Sequence, residues 1–136
     1  MSDTSDPDLT TFLHAVMPFT ATLGIRGVAN SPDETAMEMD WAPEKCTAGG
    51  VLHGGAIMAL ADSCGAALAF ANLPEGGTGT TTIEGKTNMI GAVTEGTATA
   101  RSTLVHAGGQ TIVVDTEVRQ GDRIIAKTVQ TQLVLR

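Results

Sequence analysis

The chain has 136 residues, a formal net charge of -7, 42% hydrophobic residues and only 3% aromatic ones. That length suits one domain with a real core. Eight Lys and Arg against fifteen Asp and Glu, with one Trp and no Tyr, argue against nucleic acid as a partner, because such surfaces concentrate cations and stacking rings.

Residues 1–17 read as a polar tail followed by a short helix, since Leu9, Phe12, Leu13, Val16 and Met17 recur at helical spacing up to Pro18. The acidic start lacks the basic region and apolar run of a secretory signal, so a cytoplasmic location is expected. Residues 18–136 are expected to form a single domain. After Gly24 a strand runs to a turn at Asn30-Ser31-Pro32-Asp33. Thr35, Met37, Met39 and Trp41 then alternate with Ala36, Glu38 and Asp40, the pattern of a half-buried strand.

From Thr47 to Leu73 the sequence joins a glycine-rich approach, the step His53-Gly54-Gly55 and a long apolar run, which Pro74 stops. Asp62 and Ser63 are its obvious polar residues. A helix apolar on every side is expected to be buried, and a carboxylate at its middle is costly unless paired or used. The run is short, rich in Ala and Gly, and charged at its centre, so it reads as a core helix rather than a membrane span. Cys46 and Cys64 fall outside any CxxC spacing; Cys64 reads as a small core residue and no disulfide is expected. Met37, Met39, Met58 and Met89 are expected in the core.

Four stretches rich in Thr, Val and Ile follow: Thr78 to Met89, Thr94 to His106, Thr111 to Gln120 and Arg123 to Leu135. In the third, Ile112, Val114, Thr116 and Val118 share one face, which predicts one buried side. The last three are joined by hairpin-length turns and predict an antiparallel meander. Strands and helix are segregated, so the fold class is α+β, a curved antiparallel sheet wrapped around one long central helix. The far face of such a sheet still carries Val, Ile and Leu, which predicts an oligomer.

His53-Gly54-Gly55, the apolar run to Ala61-Asp62, and the later TTIEGKTNMIGAV segment with its three following strands resemble the hotdog-fold acyl-CoA thioesterases. The resemblance is to the group that includes the phenylacetate-degradation and 4-hydroxybenzoyl-CoA thioesterases with a helix-borne carboxylate. It covers roughly Pro18 to Leu135 and implies hydrolysis of fatty, aromatic or phenylacetyl-type acyl-CoAs, with no metal or bound cofactor, by dimers paired into homotetramers. It implies Asp62 as the catalytic carboxylate, His53 as the active-site histidine, and Gly54 as the glycine whose N–H polarises the thioester carbonyl. It places Thr82 where some members hold water or substrate, and Asn88 at the family's NFLRP-like strand end. Thr47 stands where many members have Asn or Gln, Ala66 where some have Ser or Thr, and Gly91-Ala92 where NFLRP-like members have Arg-Pro. The turn from His106 to Gln110 lacks the basic residue often found there.

Some of the chemistry follows from the residues alone. Unpaired N–H groups at a helix start, here those of Gly54 and Gly55, can meet a developing oxyanion. Asp62 can serve as general base or as nucleophile. A helix starting near Gly54 puts Asp62 eight residues along, about 12 Å at 1.5 Å per residue. One carbonyl cannot touch both ends of that span, so a reaction using both needs two antiparallel helices from two subunits. The CoA phosphates require local cations, for which Lys86 and Arg101 are candidates, with Arg119 and Arg123 flanking a hairpin. Plainer readings stand beside these: Asp62 as a structural carboxylate, His53 bonding backbone groups at the helix start, and the glycines, Gly55 included, serving tight packing. A hydroxyacyl-thioester dehydratase and a non-catalytic acyl-thioester-binding module are the alternative functions.

Overall fold

The computed structural model describes residues 3–136. The elements in order are α1 (Pro7–Val16), α2 (Pro18–Thr22), β1 (Arg26–Asn30), β2 (Glu34–Asp40), a 3-10 turn at Pro43–Lys45, α3 (Gly54–Phe70), β3 (Gly79–Met89), β4 (Thr97–Ala107), β5 (Thr111–Gln120) and β6 (Arg123–Leu135). The six strands form one antiparallel sheet in the order β1-β2-β4-β5-β6-β3, wrapped around α3 as the α+β reading predicts. The meander β4-β5-β6 is present, and β3 joins it through β6 rather than β4.

Period-2 patterning fixes the inner face. Ile112, Val114, Thr116 and Val118 of β5 are all buried, with Ala126, Thr128, Gln130, Gln132 and Val134 beside them on β6. Against them α3 lays Ile57, Leu60, Ala61, Cys64 and Leu68. The Cys64 thiol is fully buried and desolvation pushes its pKa up to about 12, which makes it inert.

Two expectations are corrected here. β2 is buried from Thr35 through Met39 on both faces rather than half-buried, because the carboxylate of Glu38 lies under the Arg26 guanidinium on the outer side. The first helix ends at Val16, ahead of Pro18 as expected, and Pro18 then starts the separate α2, since proline suits a first helical turn. Met37 and Met39 are core residues, but Met58 and Met89 are 47% and 46% exposed.

Arg26 bridges Glu38 and Asp40 with contacts of 2.9 Å to each, and its hydrogen bond holds the Asp40 carboxyl below the usual range. A depressed carboxylate stabilises the fold above its unfolded value and stops doing so as pH falls through its lower folded value. Asp40 is half exposed and water screens its share, so removing Arg26 mainly strands Glu38. Arg26→Met should cost about 1–2 kcal/mol at pH 7. Thermal melts should show the gap to the parent closing below about pH 4, where unpaired carboxylates become protonated.

Candidate active site

Helix α3 starts where the sequence places it. His53 is its N-cap, and the ring Nδ1 accepts the Gly55 N–H at 2.7 Å. The cap requires a neutral ring with its proton on Nε2, which faces outward as a donor. It also corrects one expectation: the Gly55 N–H is occupied, so the glycine step does not offer two free donors. The Gly54 N–H has no acceptor among the described residues. The helix start therefore presents two donors, the Gly54 N–H and the His53 Nε2–H.

Asp62 is exposed, not buried. The chain leaves a stripe of α3 uncovered, including Met58, Asp62 and Phe70, with Met58 47% and Phe70 54% exposed. An apolar residue on that stripe signals a surface awaiting cover rather than one this chain covers. Asp62 Oδ1 accepts from Thr82 Oγ1 and from Gln130 Nε2, each at 2.8 Å, and Gln132 Nε2 donates to Thr82 Oγ1 at 2.6 Å. Both bonds to the carboxylate fall on Oδ1. Oδ2 is left without a partner among the described residues.

Strand β3 runs alongside α3 in this order: Thr82 beside Asp62, and Met89 beside Gly54, where a Cβ on the glycine would lie 3.3 Å from Met89 Cε. Thr47 lies in the exposed turn before the helix, its N–H bonded to Val51 O at 2.9 Å. Lys86 and Asn88 pair with Val129 and Lys127, on the outer face of the sheet, while Thr82 pairs with the buried Gln132 on the inner one. Arg101 is also on the outer face, opposite Glu117, and is ion-paired to Glu34. Lys86 and Arg101, the candidates for the CoA phosphates, are thus on strands near the site, but strand alternation points both away from Asp62. Arg119 is held by Glu117, and Arg123 by Ala92 O and Gln120.

One helical turn beyond Asp62, a cavity of about 290 Å³ opens between α1 and α3, lined by Phe12, Val16, Met17, Ala66, Phe70 and Thr80 among others. No described helix is long and apolar enough to cross a membrane.

The Thioesterase superfamily family model matches residues 49–127, which span His53, Asp62 and the strand carrying Thr82. The chain belongs to the thioesterase superfamily. As a superfamily member it is a thioester hydrolase. It is 30% identical to the conserved protein PA5202 of Pseudomonas aeruginosa, over 86% of this chain and 93% of that one, with a TM-score of 0.82. A thioesterase family protein from Silicibacter pomeroyi is 25% identical, over 94% and 96%, with a TM-score of 0.84. The fold is also that of thioesterase HI1161 from Haemophilus influenzae, at 24% identity, full coverage of this chain, 96% of that one, and a TM-score of 0.86.

Sequence reading missed Gln130, Gln132 and Gly65 in this thioesterase. The signal was present: two glutamines spaced i, i+2 on the inward row of β6, between Thr128 and Val134. A buried amide on an inward row needs a polar partner, and Asp62 is that partner for Gln130.

Proposed function

We propose that this thioesterase hydrolyses acyl-CoAs with a small or medium apolar acyl group, aryl or aliphatic, at sites that two copies of the chain complete. The observation that carries the reading is Asp62: a carboxylate with Oδ1 anchored and Oδ2 unengaged, on the one stripe of α3 that its own chain leaves open.

The sheet edges support a dimer. At β1 the free edge is blunted by the N-terminal segment, where Asp6 N–H bonds Gly27 O at 2.7 Å and Gly27 N–H bonds Thr10 Oγ1 at 3.0 Å. At β3 the edge is bare over 11 residues, with Ile83 55% exposed, and such an edge is a template for another strand. If β3 pairs antiparallel with its copy about a twofold axis near Gly85, the Thr82 end of one strand meets the Met89 end of the other. Asp62 of one chain then lies beside Gly54 of its partner, which overcomes the span of about 12 Å along one helix. Val129, Leu133 and Leu135, 39%, 37% and 42% exposed on the outer face, favour pairing of two dimers into a tetramer.

In this site the Gly54 N–H and His53 Nε2–H hold the thioester oxygen. As general base, Asp62 Oδ2 takes a proton from water as that water adds to the carbonyl carbon; the tetrahedral species collapses by breaking the C–S bond, and the sulfur takes the proton from Asp62 and leaves as the CoA thiol. As nucleophile, Oδ2 adds to the carbonyl carbon and the C–S bond breaks to give an Asp62 acyl anhydride and a CoA thiolate that solvent protonates; water then cleaves the anhydride, releasing the acid and restoring the carboxylate. The groove between α1 and α3 receives the acyl group: at about 30 Å³ per water-sized group its volume holds roughly ten non-hydrogen atoms. Thr47 borders the site on the approach turn, whereas Asn88 stands on the outer face of the edge strand, pointing away from it. For the CoA phosphates, Lys45, Lys86, Arg123 and Arg136 are the described cations without an ion pair. Acyl-CoAs are held inside cells, so the working compartment in this reading is the cytoplasm.

A thiol-release screen tests this. Octanoyl-, benzoyl- and phenylacetyl-CoA should turn over faster than acetyl- or palmitoyl-CoA. Ile83→Glu should sediment as a folded monomer with little turnover; full activity in that monomer refutes the two-copy site. An enoyl absorbance change without thiol release identifies a dehydratase instead, and binding without turnover identifies a carrier module.

A further inference from the structure

Gln130 sits beneath α3 with 1% of its surface exposed, donating from Nε2 to Asp62 Oδ1 at 2.8 Å. Its own Oε1 is buried and has no hydrogen-bond partner, alone in this among the described buried side-chain polar atoms. An orphaned buried carbonyl is destabilising, and an apolar side chain of the same length would fill the space without it. The amide is admitted only because residue 65 is glycine: a Cβ there would lie 1.8 Å from Oε1. The backbone of α3 therefore comes down onto Gln130 three residues after Asp62, trapping the amide with its N–H end toward the carboxylate. Rotating it would aim Oε1 at Asp62 Oδ1, which repels it while Asp62 is ionised.

We infer that Gln130, locked by Gly65, is a positioning residue for the hydrolysis. With Thr82, which Gln132 orients, it saturates Oδ1 and so leaves Oδ2 as the reacting oxygen. The inference rests on the proposed role of Asp62. It assigns a function to a β6 residue that touches no substrate.

The test is Gln130→Met, which keeps the side chain's length and removes both the donor and the orphan, assayed with the best thioester of the panel. kcat should fall by roughly tenfold to a hundredfold with KM nearly unchanged, as expected for loss of a hydrogen bond to a charged group. The thermal midpoint should hold or rise. Gly65→Ala should lower kcat in the parent and add little in a Gln130→Ala background, since the methyl acts by displacing the amide. If Gln130→Met keeps kcat while Asp62→Asn is inactive, the positioning role is overturned and the role of Asp62 stands. If Asp62→Asn is itself active, both fall.

Discussion

Asp62→Asn should lower kcat/KM for thioester hydrolysis by about a thousandfold, within the range of a lost general base, while leaving the melting profile nearly unchanged. The substitution is informative because the amide oxygen it introduces can still accept from Thr82 and Gln130, the two groups 2.8 Å from the carboxylate oxygen. What changes is the other position, where an oxygen able to take a proton becomes an NH₂ that cannot. Free-CoA release measured alongside circular dichroism separates chemistry from folding. Parental turnover in the Asp62→Asn variant would end the case for this carboxylate.

The largest stability effect is expected at the opposite face of the same helix. Leu60 is fully buried, in a cluster with Met39, Ile57, Ala100 and Val118. Leu60→Ala removes three carbons and leaves a void that helix and sheet cannot both close, so it should cost about 2–5 kcal/mol. For a chain of this size that lowers the melting temperature by roughly 10 °C or more. Activity per folded molecule should persist at low temperature, since Leu60 faces away from Asp62. A melt within a degree or two of the parent would show that α3 is not the packing centre.

The sheet was legible because its periodicity is strong: the limits of β5 and β6 coincide with the stretches from Thr111 to Gln120 and from Arg123 to Leu135. The start of α3 was legible from His53-Gly54-Gly55. What could not be read was which side of an apolar helix its own chain covers. Ala and Gly look alike facing a sheet or facing a second molecule, so Asp62 was expected in a core and stands instead on an open stripe. The alternation of β2 misled for a related reason, since Glu38 is polar yet buried through its partner Arg26. Direction was lost as well. Lys86 and Arg101 are near the site in strand order, but only register shows that they point to the outer face. The inward glutamine row of β6 carried a signal for Gln130, but not its role, which lies in Gly65 and Asp62, far away in sequence and brought together by the wrap of β6 under α3.

The two borders of the sheet are unlike, and this limits how the molecule can associate. At one border Asp6 and Thr10 already occupy the main-chain groups of Gly27, while at the other the 11 residues of β3 have unoccupied main-chain groups. A sheet with two open borders can add neighbours without end, which is the geometry of a fibre. With one border closed by its own N-terminal segment, growth through the sheet stops after a single addition. Asp6, which caps α1, and Thr10 within it thus act as a chain terminator, favouring a finite particle over a polymer.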